Sequence, residues 1–203
     1  MANIEADEAG IVIEQNPGSR KLKITLILFA VFLFWVSLYS YVPTLPVYVK
    51  TKIENLSLVG FVLSTYGIWQ MIIRLPLGIA SDRIGRRKPF VIVGLLLSGL
   101  GAWVMGFSKG ASGLAIGRSL SGFAASTWVT LLILFNGMFP PEDAVRATSL
   151  LTLVNSVGRT LATSVTGTLN ELGGYSLAFI IAAGAAFIAV LILFFVKEQR
   201  LPR

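Results

Sequence analysis

Cysteine and histidine are both missing from this chain of 203 residues. Without thiols there can be no disulfide, thiolate nucleophile or sulfur metal ligand. Without imidazole the commonest general base and metal ligand is gone as well. Carboxylates are scarce: Asp and Glu total 10, and almost all of them lie outside the long apolar runs. These shortages remove classes of membrane enzyme. A rhomboid-like serine protease needs a histidine base. A membrane phosphatidyltransferase needs several aspartates on one helix face, and Asp82 has no such companions. The inventory argues against an enzyme, offers no metal site and implies no cofactor.

What the chain holds in abundance is hydrocarbon. Hydrophobic residues make up 55% and charged residues 13%, with a mean hydropathy of +0.78. That is well above the apolar share of soluble domains. The formal net charge of +7 would suit nucleic acid if the basic side chains formed a solvated face. They flank the apolar runs instead, where a membrane protein carries them. The partner is a lipid bilayer, and nucleic acid is excluded.

A helix needs roughly 20 apolar residues to cross the hydrocarbon core. Six such spans are predicted, at residues 24–42, 56–80, 90–107, 113–138, 147–169 and 177–196, giving an all-α integral membrane bundle. Pro43 and Pro46 mark the exit of the first span, and Pro140-Pro141 break the chain after the fourth. Arg20, Lys21 and Lys23 before the first span look like the flank of a signal peptide. The apolar run is too long for one and no small-residue cleavage pattern follows, so it reads as an uncleaved span. Residues 1–19 hold Glu5, Asp7, Glu8 and Glu14 without apolar periodicity and read as a mobile tail. Orientation follows from the basic residues. One side carries Arg20, Lys21, Lys23, Arg83, Arg86, Arg87, Lys88, Arg146, Lys197, Arg200 and Arg203, the other only Lys50, Lys52 and Lys109. The richer side is cytoplasmic. Both termini are therefore expected in the cytoplasm, and the expected location is the cell (plasma) membrane.

A short repeat runs through the chain. Gly78-x-x-x-Asp82-x-x-Gly85 follows the second span, and Gly167-x-x-x-Glu171-x-x-Gly174 follows the fifth. The two copies fall on opposite sides of the membrane, as expected for two inverted three-helix repeats. The third and sixth spans are almost wholly apolar, whereas the others carry Ser, Thr, Tyr, Asn, Gln and Arg. Polar groups avoid lipid, so the third and sixth spans should face the bilayer and the others a cavity or a partner. Gly113-x-x-x-Gly117 and Gly122 with Ala125 would let the fourth span approach a neighbour closely.

The sharpest motif is Gly78-x-x-x-Asp82-Arg83-x-Gly85-Arg86-Arg87, placed between the second and third spans. It resembles the signature loop of the major facilitator superfamily, against the plainer alternative of a positive-inside anchor with a glycine turn. Leu114-x-x-x-Arg118-x-x-x-Gly122 resembles that family's fourth-helix motif, and Gly167 through Gly174-Tyr175-x-x-Ala178-Phe179 resembles its passage from helix 5 to helix 6. The resemblance covers essentially the whole chain after the tail. It implies the amino-terminal six-helix half of a transporter that moves a small-molecule substrate by secondary active, alternating-access transport, efflux included. It also implies that Asp82, Arg83, Arg86 and Arg87 latch one half against the other, and that Arg118 serves proton coupling or conformational change. The plain alternative for Arg118 is a snorkelling side chain. Arg74 reads as structural, snorkelling from the inner end of the second span.

The fifth span departs from the family's drug–proton antiporters. Where those show Gly-Pro and then Gly-Gly, this chain has Gly158-Arg159-Thr160-Leu161-Ala162-Thr163, which counts against that assignment. Arg159 falls near mid-membrane, where a lone cation needs either a carboxylate partner or an anionic ligand. Candidates for a cavity wall are Trp35, Tyr39, Tyr66, Trp69, Gln70, Trp128, Asn136 and Asn155, each of which could equally be packing or an interfacial anchor. Family members usually have two six-helix halves, and a site between halves cannot be built from one. Three readings stay open. The chain is a fragment of a twelve-helix transporter, or it pairs with a second half (itself or a separate chain), or it is a non-transporting membrane interaction or assembly protein.

Overall fold

The computed structural model describes residues 17–196. The acidic residues Glu5, Asp7, Glu8 and Glu14, and the basic Lys197, Arg200 and Arg203, lie outside the described residues. Seven α-helices and one short 3-10 turn account for almost all of the rest: α1 (Pro17–Tyr39), α2 (Leu45–Lys50), α3 (Leu56–Ile84), α4 (Lys88–Phe107), α5 (Ala111–Ser126), α6 (Trp128–Asn136), the turn Pro141–Asp143, and α7 (Ala144–Phe195).

Several boundaries differ from the sequence expectation, each for a local reason. α1 starts at Pro17, inside the segment read as tail. Proline suits a helix start because its missing N–H belongs to a position with no intrahelical partner. α2 is an additional short helix in the segment after Pro43; Pro46 sits in its first turn. α3 does not stop at residue 80. It runs through Asp82 to Ile84 and ends where Gly85 takes φ 67°, ψ 13°, its N–H bonded to Ser81 O. That left-handed cap is open to glycine at little cost. Most of the signature motif is therefore helical, and the loop proper is only Gly85, Arg86 and Arg87. The fourth span divides into α5 and α6 at Thr127, whose hydroxyl donates to the Ala124 carbonyl at 2.7 Å. Such back-bonding competes with the helix ladder.

α7 is a hydrogen-bonded run of 52 residues broken at two glycines with non-helical backbone, Gly173 (φ −147°) and Gly174 (φ 66°, ψ −176°). The break divides it into two helical arms, residues 144–172 and 175–195, which correspond to the fifth and sixth spans expected from the sequence. The arms run antiparallel: Ala147 and Leu151 near the start share one buried cluster with Ala189, Leu193 and Val196 at the end. Gly85 and Gly174, the closing glycines of the sequence repeat, are the two positive-φ residues among those described. Their ψ values differ, so one ends a helix and the other links two.

The helices pack in the order α3, α5, α4, α7, α1. Small residues set the spacing. A Cβ on Gly101 of α4 would sit 2.7 Å from the Gly117 carbonyl of α5, and one on Gly117 would sit 2.7 Å from that of Gly101. A Cβ on Gly122 would collide with the Tyr66 backbone of α3. Gly113 meets only Ser108 of the preceding loop, so Gly117 and Gly122 are the close-approach residues of α5. Two buried clusters stack along the bundle. One, around Phe34, Trp35 and Phe135, lies toward the end carrying the described termini. The other, around Tyr41, Tyr48 and Phe179, lies at the opposite end. There Tyr48 of α2 donates its phenol to Met105 O at 2.9 Å, and burial pushes the pKa of that phenol up.

α4 exposes Val93, Leu96, Leu100, Trp103 and Phe107; the arm 175–195 exposes Ile180, Phe187, Ile188, Leu191, Phe194 and Phe195. In water such faces would aggregate; in lipid they need no partner. α3 is the least enclosed span. Only 17% of its most apolar stretch is buried, against 50% for that of Ala111–Asn136.

Gly122→Leu is expected to destabilise the bundle by roughly 1–3 kcal/mol through overpacking. Gly184→Ala, at a helical site with nothing within 4 Å, is expected to leave stability unchanged or slightly raised. Thermal unfolding in detergent micelles, followed by circular dichroism, measures both.

Candidate functional site

The polar face of the arm 144–172 follows helical spacing. Ser156, Arg159, Thr160 and Thr163 fall on one side of it and, with Tyr39 of α1, line an open groove of ≈ 290 Å³. Gly158 makes this possible. A Cβ there would lie 3.1 Å from the Phe32 carbonyl and 3.4 Å from Trp35 Cβ, so the arm passes close against α1. The next residue, Arg159, is thereby laid over aromatic rings: its guanidinium carbon is 4.4 Å from the Tyr39 ring centroid and 5.6 Å from that of Trp35. Trp35 is itself held by Tyr39 at 5.6 Å and by the edge of Trp128 at 5.2 Å. Arg159 is exposed to the groove, and among the described residues no carboxylate pairs with it. Its charge is answered by ring faces alone.

A second cation is treated in the same way. Arg118 of α5 places its guanidinium carbon 4.3 Å from the Tyr66 ring centroid. Its Nε and Nη1 are buried without a hydrogen-bond partner. Tyr41 hydrogen-bonds Ser121 at 3.0 Å, one turn along from Arg118. Tyr39, Tyr41 and Tyr66 lie near one another, and Arg118 lies beside Tyr41 and Tyr66. α1, α3 and α5 thus converge on a tyrosine cluster, with Arg118 on one of its rings and Arg159 on another. Arg118 is half-buried, not a free snorkelling chain. Arg74, by contrast, is exposed.

The remaining candidates are scattered. Asn155 is half-buried with Oδ1 unpartnered. Trp128 packs on Trp35. Trp69 is exposed and stacks on Phe123 at 5.0 Å. Gln70 lends its backbone carbonyl to Ser126 Oγ at 3.2 Å. Asn136 donates to Thr148 at 2.8 Å, joining α6 to α7, which is a packing role and not a cavity one. Ser156, Thr160 and Thr163 were not singled out in the sequence, although their spacing around Arg159 marks one helix face.

At the end carrying the termini, Arg87 donates to Asp82 Oδ1 at 2.9 Å, bridging the Gly85 turn; the Asp82 side chain is 60% exposed. Arg83 and Arg86 are exposed. Two neighbouring cations close helix ends: Arg20 donates to Met138 O at 3.1 Å, and Lys88 to Phe194 O at 3.1 Å and Val196 O at 2.5 Å. Basic groups at helix carboxyl ends satisfy orphan carbonyls.

Apolar outer faces beside a polar, arginine-bearing face define a multi-pass integral membrane protein with an open polar groove. The chain belongs to the Major Facilitator Superfamily, whose sequence profile matches residues 27–203. It is 28% identical over 177 residues to an uncharacterized transporter of Buchnera aphidicola subsp. Schizaphis graminum, covering 86% of this chain and 45% of that protein. It is 31% identical over 150 residues to the efflux pump azaK of Aspergillus niger, covering 70% of this chain and 32% of that one. Its fold matches the in meso crystal structure of the POT family transporter PepTSo with a TM-score of 0.79 at 15% identity, over 89% of this chain and 38% of that one. The chain therefore spans less than half the length of each.

Replacing Tyr66 separates ring from hydroxyl. Tyr66→Phe keeps the cation–π contact with Arg118 and is expected to change thermal stability by less than about 0.5 kcal/mol. Tyr66→Leu leaves a partly buried cation with no ring and is expected to cost about 2 kcal/mol. Melting of the two variants in the same detergent makes the comparison.

Proposed function

We propose that this chain forms the amino-terminal half of a secondary transporter that carries a small solute across the plasma membrane by alternating access. It works against a second six-helix half, with both termini in the cytoplasm, and catalyses no covalent chemistry. The observation that carries the reading is the groove of Tyr39, Ser156, Arg159, Thr160 and Thr163. An open polar groove on an otherwise apolar bundle cannot face lipid and needs something polar against it. The little-enclosed α3 and the polar, groove-bearing face of the arm 144–172 support a second half seated there.

In this reading Asp82, Arg83, Arg86 and Arg87 form the latch. The Asp82–Arg87 pair fixes the turn after α3, and exposed Arg83 and Arg86 are available to the other half. In the same reading Arg118, held on the Tyr66 ring of α3, serves proton coupling or conformational change.

Because the chain has no cysteine, single thiols can be introduced without background. Thr160→Cys is expected to react with a membrane-impermeant maleimide from both faces, tested in right-side-out and inverted vesicles. Reaction from one face only, in every condition, would rule out alternating access. Asp82→Asn removes one exposed ion pair and is expected to shift stability by less than about 1 kcal/mol. It should nevertheless change the ratio of labelling from the two faces. The same assay fixes orientation: Arg86→Cys should label from the cytoplasmic face and Lys109→Cys from the other.

A further inference from the structure

We infer that the groove recognises the oxyanion of a small organic acid, with Arg159 as the discriminating residue. The inference rests on the transport reading for its purpose, though not for its test.

Arg159 is exposed to the groove, and among the described residues no acid neutralises it. Tyr39 at 4.4 Å and Trp35 at 5.6 Å stabilise the cation through a ring face while consuming none of its N–H donors. A planar guanidinium seated on a ring keeps its edge free, and that edge matches a carboxylate in a two-point contact. A cationic solute would meet an unneutralised like charge here. A neutral one would leave a dehydrated guanidinium without a counter-charge.

The hydroxyls around it are consistent with the same ligand. Thr163 spends its O–H on backbone carbonyls, Arg159 O at 2.9 Å and Thr160 O at 3.0 Å. The side-chain hydroxyls of Ser156 and Thr160 have no hydrogen-bond partner among the described residues, so two further O–H donors border the groove beside the guanidinium. Three donor groups and no carboxylate make a site that favours an acceptor-rich, negatively charged group. The flanking Tyr39 ring offers an apolar surface for the organic remainder. The ≈ 290 Å³ groove has room for a small ligand on this half. Since arginine stays charged throughout the accessible pH range, the preference for anions follows the ligand's ionisation and not the protein's.

The test uses the full 203-residue chain in lipid nanodiscs. Radiolabelled benzoate is the probe, with unlabelled benzoate, its neutral isostere benzamide and phenyl phosphate as competitors. Benzoate should displace the label at least about tenfold better than benzamide, the scale of one charge-assisted hydrogen-bond pair. Arg159→Gln should abolish that preference and Arg159→Lys should keep part of it. Arg159 is exposed, so the Gln variant should remain folded, as unchanged melting would verify. Displacement by phenyl phosphate as strong as by benzoate would mean the site reads oxyanion charge in general; weaker displacement would mean it reads carboxylate shape, and either agrees with the assignment. Equal competition by benzoate and benzamide, absence of benzoate binding, or a preference that survives in Arg159→Gln overturns it. Reconstituted vesicles separate this from the transport reading. Charge-selective binding without benzoate uptake defeats transport and leaves the anion site standing. Uptake indifferent to Arg159→Gln defeats the anion site alone.

Discussion

Everything in this bundle depends on how closely backbones approach one another. Hydrocarbon gives apolar side chains no reason to leave lipid for each other, so helices in a membrane are held by contact area and by the few polar bonds between them. Here α5 lies against α4 where Gly101 and Gly117 face each other, and against α3 where Gly122 meets the Tyr66 backbone. That last contact brings the Tyr66 ring to Arg118, one turn before Gly122. On the other side Gly158 brings the arm 144–172 down onto α1, and the following residue drops its guanidinium onto Tyr39 and Trp35. In each case a missing side chain sets the distance at which a cation finds its ring.

The two intramembrane arginines show one solution to a shared problem. A charge at membrane depth costs about 2.5–3.5 kcal/mol on insertion scales, and a carboxylate would answer it most directly. The described spans offer none at these positions. Aromatic faces supply a weaker but permanent attraction that does not cancel the charge. A salt bridge would have closed each site electrostatically; a ring leaves it open to a further partner. The outward disposition of the Arg159 edge and the enclosed position of Arg118 then divide their uses. One faces a hollow, while the other is held within a cluster of tyrosines.

Much of the architecture could be read from the chain because the bilayer demands so much of it. Long apolar runs, basic flanks and the almost wholly apolar third and sixth spans follow directly from the requirement that lipid-exposed segments be helical and unpolar. The signature around Asp82 was legible as a family motif, and Arg159 as a cation without an answer. What escaped was local. Whether Asp82 lies in a loop or on the last turn of α3 depends on Gly85 entering the left-handed region, which spacing alone does not specify. The division of the fourth span at Thr127 is a one-residue tightening, the Thr127 N–H bonding the Ala124 carbonyl, which no sequence pattern marks. Asn136 resembled a cavity residue in sequence, since a polar side chain in a span carries no label for the direction it faces. Ser156, Thr160 and Thr163 looked ordinary until placed beside Arg159.

Gly122 and Gly174 are both irreplaceable in principle, yet for unrelated reasons. At Gly122 the backbone is ordinary helix and the space is taken; at Gly174 nothing lies within 4 Å of where a Cβ would sit, but φ is +66° with ψ near 180°. That combination is the mirror image of the extended conformation preferred by ordinary residues. The requirement at Gly174 is therefore one of handedness. A right-handed amino acid placed there by chemical synthesis would sit without strain where its natural counterpart could not, and the link between the two arms of α7 would survive a side chain it has never carried.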